Sequence, residues 1–355
     1  MRHALIVGLA GLGLSMEEAA FLRRVRPCGI ILFARNAGQP EQVRGLIDAV
    51  REEIGSAEFL VLIDQEGGRV QRLKPPHWRL LPAAGMLGEF YHGNPSAALT
   101  ATYAIARLTA QDLSSLGINT NCVPCVDIPV GGAHDIIGSR AYGSEVEQVV
   151  ALARAVADGH LGGGVLPVLK HIPGHGRATA DSHLELPVVT STKAQLSKTD
   201  FATFHALRDL PAAMTAHVVY TAIDSTNPAS TSRPVLDEIV RGEIGYNGLL
   251  MSDDLSMEAL RGTIGERGKA VLDAGCDVAL HCNGNLEEME NVAAVTPVLG
   301  GAALERFARC ISYISGHGDR VLPLNANINV ENIITDGEYW LKQLSQYSAE
   351  KPQAY

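Results

Sequence analysis

The sequence predicts an α/β fold, a single (β/α)8 barrel of the TIM type, from two observations. Short apolar runs alternate with helical patterns eight times without a break in composition. Polar residues follow nearly every run, at the end where such a barrel carries its functional face. The runs are Ala4–Leu9, Gly29–Phe33, Phe59–Ile63, Ile118–Cys122, Val165–Leu169, Ala212–Thr215, Leu249–Met251 and Val278–His281. Most are apolar throughout rather than alternating, as strands of a parallel sheet covered on both faces must be. A doubly wound open sheet is the structural alternative.

Helical patterns fill the intervals. Met16–Val25 opens behind Ser15, a capping residue, with Glu17 and Glu18 in its first turn. Pro40–Ile54 starts with proline, where a helix has no use for an N–H donor. Pro95–Leu116, Glu145–His160, Lys193–Leu210, Arg233–Glu243 and Met257–Ala274 follow, and Leu286–Val295 and Ala302–Ile314 close the set. The barrel is expected to cover residues 1–320. Residues 321–355 are polar and irregular, with Asn325, Asn327 and Asn329 among apolar neighbours, and read as a C-terminal tail packed on the barrel with a frayed end.

Composition narrows the function. A chain of 355 residues, 46% of them hydrophobic, can bury a large core. A net charge of -10 and the lack of a basic stripe exclude a nucleic-acid partner. No run reaches the roughly 18 apolar residues of a membrane span. Ala4–Leu14 is apolar behind Arg2, but its glycines and the helix start at Ser15 read as strand, turn and helix rather than a secretory leader. A soluble cytoplasmic protein, monomeric or weakly dimeric, is expected.

The six cysteines sit mostly in apolar contexts, which suits reduced, buried thiols. Cys122-Val123-Pro124-Cys125 has the spacing of half a zinc knuckle or a redox pair, but no second such pair exists, so neither use is expected. Gly8-Leu9-Ala10-Gly11-Leu12-Gly13 follows the first strand like a dinucleotide loop. Its glycines are in the wrong order and no acidic residue ends a second strand at the required distance.

The densest chemistry lies just past the fifth run. Lys170-His171-Ile172-Pro173-Gly174-His175-Gly176, then Asp181-Ser182-His183, place one lysine, three histidines and one aspartate within fourteen residues. A strand aims such groups and a glycine-rich loop lets them approach a substrate. Other strand ends add Arg35 and Asn36, then Asp64, Glu66 and Arg72, Asp127 and Arg140, His217, and Ser252-Asp253-Asp254. Each has a bland alternative, since a lone Asp can cap a helix and Arg35 or Asn36 can satisfy loop carbonyls.

Asp253 is the sharpest candidate. A carboxylate on a rigid strand end suits attack on an anomeric carbon, with Asp254 left to tie down the loop or cap the next helix. His183 can supply the acid that protonates a leaving oxygen near neutral pH, and Asp181 can orient its ring. Metal binding is the competing use of His171, His175, Asp181 and His183. The spacing matches no usual zinc signature and Lys170 would repel a cation, so neither metal nor cofactor is expected.

Four segments carry a specific resemblance. Gly29-Ile30-Ile31-Leu32-Phe33-Ala34-Arg35-Asn36, Ile63-Asp64-Gln65-Glu66-Gly67-Gly68-Arg69-Val70-Gln71-Arg72, the 170–183 loop and Ser252-Asp253-Asp254-Leu255-Ser256-Met257 are similar to glycoside hydrolase family 3. More narrowly they resemble its single-domain bacterial β-N-acetylglucosaminidases of cell-wall recycling. The resemblance runs from about residue 5 to about residue 315. It implies a retaining reaction with Asp253 as nucleophile and His183 as acid/base supported by Asp181. It also implies that Asp64, Arg72, Arg140, Lys170 and His171 hold the sugar. The implied substrate is a small carbohydrate, a GlcNAc-containing muropeptide. Ile172, Tyr142 and Met251 depart from the family's usual residues without touching its chemistry, whereas Pro75–Leu81 differs more and is expected to alter what flanks the sugar.

Overall fold

The eight apolar runs become eight parallel strands that close on themselves in a computed structural model, which describes residues 1–182, 184–315 and 333–350. They are β1 (His3–Gly8), β2 (Pro27–Leu32), β3 (Leu60–Ile63), β4 (Thr120–Asn121), β5 (Leu166–Ile172), β6 (Ala212–Thr215), β7 (Leu249–Asp254) and β8 (Val278–His281). Each pairs with its sequence neighbours, and β8 closes on β1 with Leu5 opposite Ala279 and Val7 opposite His281. No open edge remains, and the alternative of an open sheet is excluded. Among the described residues no helix is long and apolar enough to cross a membrane.

Closure explains why the strands are apolar throughout. Ile6, Leu62, Val168, Met214, Met251 and Leu280 fill the barrel interior, while the intervening Leu5, Val61, Leu169, Ala213, Leu250 and Ala279 pack outward against the helices. Both faces are buried, so positions of both parities are mostly apolar, and the polar exceptions such as Asn121 and Lys170 are held by hydrogen bonds or ion pairs. The split also separates the cysteine pair. Cys122 joins the interior cluster, whereas Cys125 sits with Ile137 and Ala141, and all six cysteines are free and buried.

The helices surround the strands as their patterns require. α1 (Met16–Val25) begins with a reciprocal capping box between Ser15 and Glu18, and α2 (Pro40–Ile54) has proline in its first turn. A helix that the sequence reading lacked, α3 (Ala84–Gly93), precedes α4 (Pro95–Ser115). α5 (Val146–Gly162) follows. The expected Lys193–Leu210 helix divides into α6 (Lys193–Lys198) and α7 (Asp200–Ala206), and Val235–Glu243 is a π-helix. The expected Met257–Ala274 helix starts late. α8 (Ile264–Ala274) is capped by Thr263 with Glu266, which leaves residues 255–263 as a loop over the barrel mouth. α9 (Leu286–Ala293) completes the ring, and α10 (Gly301–Ser315) closes the end of the barrel where the strands begin, with Phe307 and Cys310 among the interior residues.

Beyond α10 the chain differs from expectation. Ile333–Glu350 is a helix, α11, and not an irregular tail. It packs on α3 and α4, with Trp340 against Phe90, Glu338 paired to Arg79 and Leu344 buried. Gly337 stands inside this helix, where glycine is intrinsically unfavourable. A side chain there would press on Ala104 O and Leu108 at 2.9 Å, so the missing Cβ is what lets α11 lie against α4. Asn325, Asn327, Asn329 and the chain end beyond residue 350 lie outside the described residues.

Gly8 serves close packing as well. A methyl there would overlap Cys282 O and meet the Arg35 guanidinium at 2.8 Å, while Gly11 and Gly13 have nothing within 4 Å. The glycine run is therefore a barrel joint followed by open turns, not a phosphate cradle. Gly8→Ala should cost about 1–3 kcal/mol by overpacking, seen as a lower urea midpoint at unchanged slope. Gly11→Ala and Gly13→Ala should change little. Equal losses at all three positions would refute this division.

Candidate active site

The barrel mouth is organised by a buried lysine. Lys170 lies near the end of β5 with its side chain only 2% exposed. Its ammonium donates to Asp64 Oδ1 at 2.8 Å and stands 2.6 Å from Glu66 Oε1. Asp64 and Glu66 follow β3 two residues apart, so an extended chain turns both toward the mouth. Asp64 Oδ2 accepts from Arg72 Nη2 at 3.0 Å, and Glu66 accepts two parallel bonds from Arg140 Nε and Nη2, each 2.9 Å. Forked contacts of this kind fix direction as well as distance.

Burial alone would push these carboxyls upward. Lys170 and Arg72 outweigh it at Asp64 and hold that group well below the usual carboxylate range. Lys170 and Arg140 likewise bring Glu66 down to about 2. Burial lowers the lysine, but the two carboxylates overcome it and keep the ammonium charged far above neutrality. Asp64, Glu66 and Lys170 are thus all charged near neutral pH.

Gln65, between the two acids, faces the other way and locks them. Asn121 on β4 accepts from Gln65 N at 2.9 Å and donates to Gln65 O at 3.1 Å and to His160 Nε2 at 3.0 Å. The Gln65 side-chain oxygen accepts from the backbone N–H of Arg72 and of Leu73, both at 3.0 Å, which fixes where Arg72 starts.

A second chain of bonds leaves Arg140. Its Nη2 lies 3.4 Å from His171 Nε2, and His171 Nδ1 lies 2.6 Å from Asp127 Oδ2. An arginine only donates and a carboxylate only accepts, so His171 carries its proton on Nδ1. Burial raises the Asp127 carboxyl, but His171 and His175 beside it prevail and hold it well below the carboxylate range. Asp127 also accepts from the His175 backbone N–H at 2.6 Å, and His175 Nε2 sits 3.1 Å from Ser182 Oγ. Burial, with His171 adding to it, lowers His175 to about 4, so this link is neutral.

Asp253 is the last residue but one of β7 and lines one cavity of about 350 Å³ together with Asp64, Arg72, Arg140, Lys170 and His171. Phe33, Val70, Ile136 and Met257 form its apolar parts. Asp253 Oδ1 accepts from Asp254 N at 2.8 Å. Neither aspartate caps a helix, since α8 starts at Ile264. Asp254 instead holds the loop, accepting from the N–H groups of Ser256 and Cys282 at 3.0 Å each. His217 bonds the Asp254 carbonyl at 3.0 Å from behind. Arg35 and Asn36 have the bland role, donating to Leu9 O at 2.8 and 3.0 Å. Residues 75–81 do not line the cavity.

Asp181 is half-buried in the neighbouring loop, where its carbonyl accepts from Leu184 N at 2.9 Å. Ser182 O accepts from Ala259 N at 3.3 Å, joining that loop to the segment after β7. His183 lies outside the described residues. Sequence reasoning noted Glu66 and Asp127 at strand ends but did not select them. The signal was available for Glu66, because the alternation that aims Asp64 aims it too.

The model of the glycosyl hydrolase family 3 N-terminal domain matches residues 8–304. The chain belongs to glycoside hydrolase family 3. A curated β-hexosaminidase of Alkalilimnicola ehrlichii is 41% identical over 283 residues, 79% of this chain and 80% of that one. NagZ from Neisseria gonorrhoeae, solved in complex with N-trifluoroacetyl-D-glucosamine, superposes with a TM-score of 0.83 at 29% identity, covering 97% of this chain and 98% of the other. A family 3 β-N-acetylglucosaminidase from Paenibacillus sp. str. FPU-7 gives 0.83 at 28%, covering 97% and 67%. The protein is therefore a glycoside hydrolase, and the family 3 barrel explains why polar groups converge at one mouth.

The support behind this family 3 site has a pH signature. Burial pushes His160 from an ordinary 6.5 down to about 4, against the opposing bond to Val156 O. Between these values the unfolded chain takes up a proton that the folded chain refuses. The neutral ring's contribution to stability is thus whole above pH 6.5 and is lost as the pH falls to about 4. His160→Gln should narrow its stability gap to wild type across that window, measured by urea midpoints. A gap that stays constant would mean that His160 does not titrate as argued.

Proposed function

We propose that the enzyme is a retaining β-N-acetylglucosaminidase that removes non-reducing terminal GlcNAc from peptidoglycan fragments such as GlcNAc-1,6-anhydroMurNAc-peptides in the cytoplasm. The observation that carries this reading is the single cavity in which Asp253 faces the Asp64–Lys170–Glu66–Arg140–His171 wall. Relatives named for hexosaminidase activity and a superposing NagZ bound to an N-acylated glucosamine support it. At about 350 Å³ the cavity is at the small end for ligand sites and suits one sugar ring.

The chemistry is a double displacement. Asp253 attacks the anomeric carbon and forms a glycosyl ester, while His183 gives a proton to the departing oxygen. His183 then takes a proton from water, which attacks the same carbon and frees Asp253. Asp181 orients the imidazole. Asp64 accepts from sugar hydroxyls. Arg72, Lys170, Arg140 and His171 grip the hydroxyls and N-acetyl group, and Glu66 keeps Lys170 and Arg140 aimed. The two displacements need only the carboxylate and the acid/base.

Purified protein kept in chelator should hydrolyse an aryl β-N-acetylglucosaminide well and the matching β-glucoside poorly. Faster glucoside hydrolysis would overturn the substrate assignment. Asp253→Asn should lose at least roughly a thousandfold in rate while still folding, and a slow fluorinated sugar should label Asp253. Label on Asp254 or Asp64 would displace the nucleophile.

The acid/base assignment has its own check. His183→Ala and Asp181→Ala should greatly slow substrates with poor leaving groups, yet slow dinitrophenyl glycosides much less, because such groups depart without a proton. Equal losses on both substrate types would mean that His183 holds the sugar or the loop and is not the acid.

A further inference from the structure

Three donors meet behind the wall of the cavity where hydrolysis calls for no ligand. Cys125 and Asp127, two residues apart beyond β4, face the same way, and His171 on β5 turns Nδ1 toward them. Cys125 Sγ donates to Asp127 Oδ2 at 3.3 Å, and His171 Nδ1 lies 2.6 Å from the same oxygen. One ligand atom from each lies within 4.8 Å of the others. Thiol, carboxylate and imidazole are the donors of zinc sites. Among the described residues no other three such donors converge in this way. The CxxC spacing concealed the group, because Cys122 turns into the barrel and Cys125 does not.

We propose that Cys125, Asp127 and His171 form an inhibitory site for a borderline-soft divalent cation of the Zn²⁺ class. A tetrahedral ion with bonds of about 2.0–2.3 Å spaces its ligands by about 3.3–3.7 Å. Cys125 and Asp127 already stand so, and His171 must retreat from Asp127 by about 1 Å at most. The nearest cations, Lys170 and Arg140, are already matched by Asp64 and Glu66. The ion enters from the cavity past His171, which lines it.

Binding breaks the Cys125 S–H bond, forms a metal–sulfur bond and sends that proton to solvent. Burial, with the Asp127 charge adding to it, otherwise keeps this thiol protonated. The His171 proton moves from Nδ1 to Nε2 as the metal takes Nδ1, and no electron is transferred. Nε2–H then opposes the Arg140 Nη2–H group that now points at it from 3.4 Å, donor against donor. Arg140 is pushed from its place in the sugar-binding wall, so the cation competes with substrate.

The test reads the ligand as well as the activity. Chelator-treated wild type titrated with Co²⁺ should develop a thiolate-to-cobalt charge-transfer band. Cys125→Ser and Cys125→Val should lack it; serine keeps the polarity, valine keeps the packing, and either suffices if the other fails to fold. Zn²⁺ should raise the apparent KM of wild type by at least about tenfold, and the variants should need at least about tenfold more zinc for the same effect. Each protein is compared with its own metal-free rate. No band in wild type, or unchanged zinc inhibition in the Cys125 variants, would overturn the proposal. So would inhibition that disappears in Asp181→Asn but persists in Cys125→Ser, since the ion would then sit on the neighbouring loop. The cobalt band supports the site whatever sugar the enzyme cleaves.

Discussion

One ammonium group sets the geometry of the barrel mouth. Lys170 is buried and shared between Asp64 at 2.8 Å and Glu66 at 2.6 Å. Removing one partner of such a buried set leaves an uncompensated charge, typically at about 3–5 kcal/mol. The pairing therefore holds two strand ends, after β3 and within β5, in one fixed relation. Arg72 hangs from Asp64, and Arg140 hangs from Glu66. Through Arg140 the same constraint passes to His171, Asp127, His175 and Ser182. The order is physical: each group is placed by one already placed.

Barrel closure makes that economy possible. Asp64, Lys170 and Asp253 are far apart in sequence, but β3, β5 and β7 are alternate staves of one closed sheet. Their interior-facing neighbours pack as Leu62, Val168 and Met251, so strand ends cannot shift without disturbing the core. Lys170, Asp64 and Asp253 therefore sit at or just beyond the ends of packed strands, where a site that needs fixed geometry is best built. Support from outside is polar. His160 on α5 reaches Asn121, and Asn121 clamps the backbone between the two acids.

The fold was legible because its two signals do not depend on distant context. Apolar runs spaced by amphipathic helices state the barrel directly, and α1, α2, β6 and β8 fall at their expected limits. The failures share a cause. α11 contains Gly337 in a polar stretch, and only contact with α4 gives that glycine its reason. α8 starts only at Ile264 because the loop before it is bound by Asp254, which no helical pattern reveals. Six of the site's expected residues share one cavity, since strand ends of one barrel must converge. Glu66 and Asp127 were harder to select. Their work is to hold other side chains, and sequence displays a residue's type but not its partner.

Asp127 shows how narrow the margin is between positioning and coordination. A carboxylate behind an imidazole fixes its tautomer by accepting the Nδ1 proton, which is what His171 requires to present a bare Nε2 to Arg140. The same pair is two-thirds of a metal site. A hydroxyl or an alkyl group as third neighbour leaves the pair as a hydrogen bond. A thiol at 3.3 Å from the carboxylate supplies the missing soft donor. Cys125 fills apolar space beside Ile137 and Ala141, so packing alone would be met as well by valine. Its sulfur instead places a soft donor beside the carboxylate–imidazole pair, on the hidden side of the wall that His171 presents to the cavity.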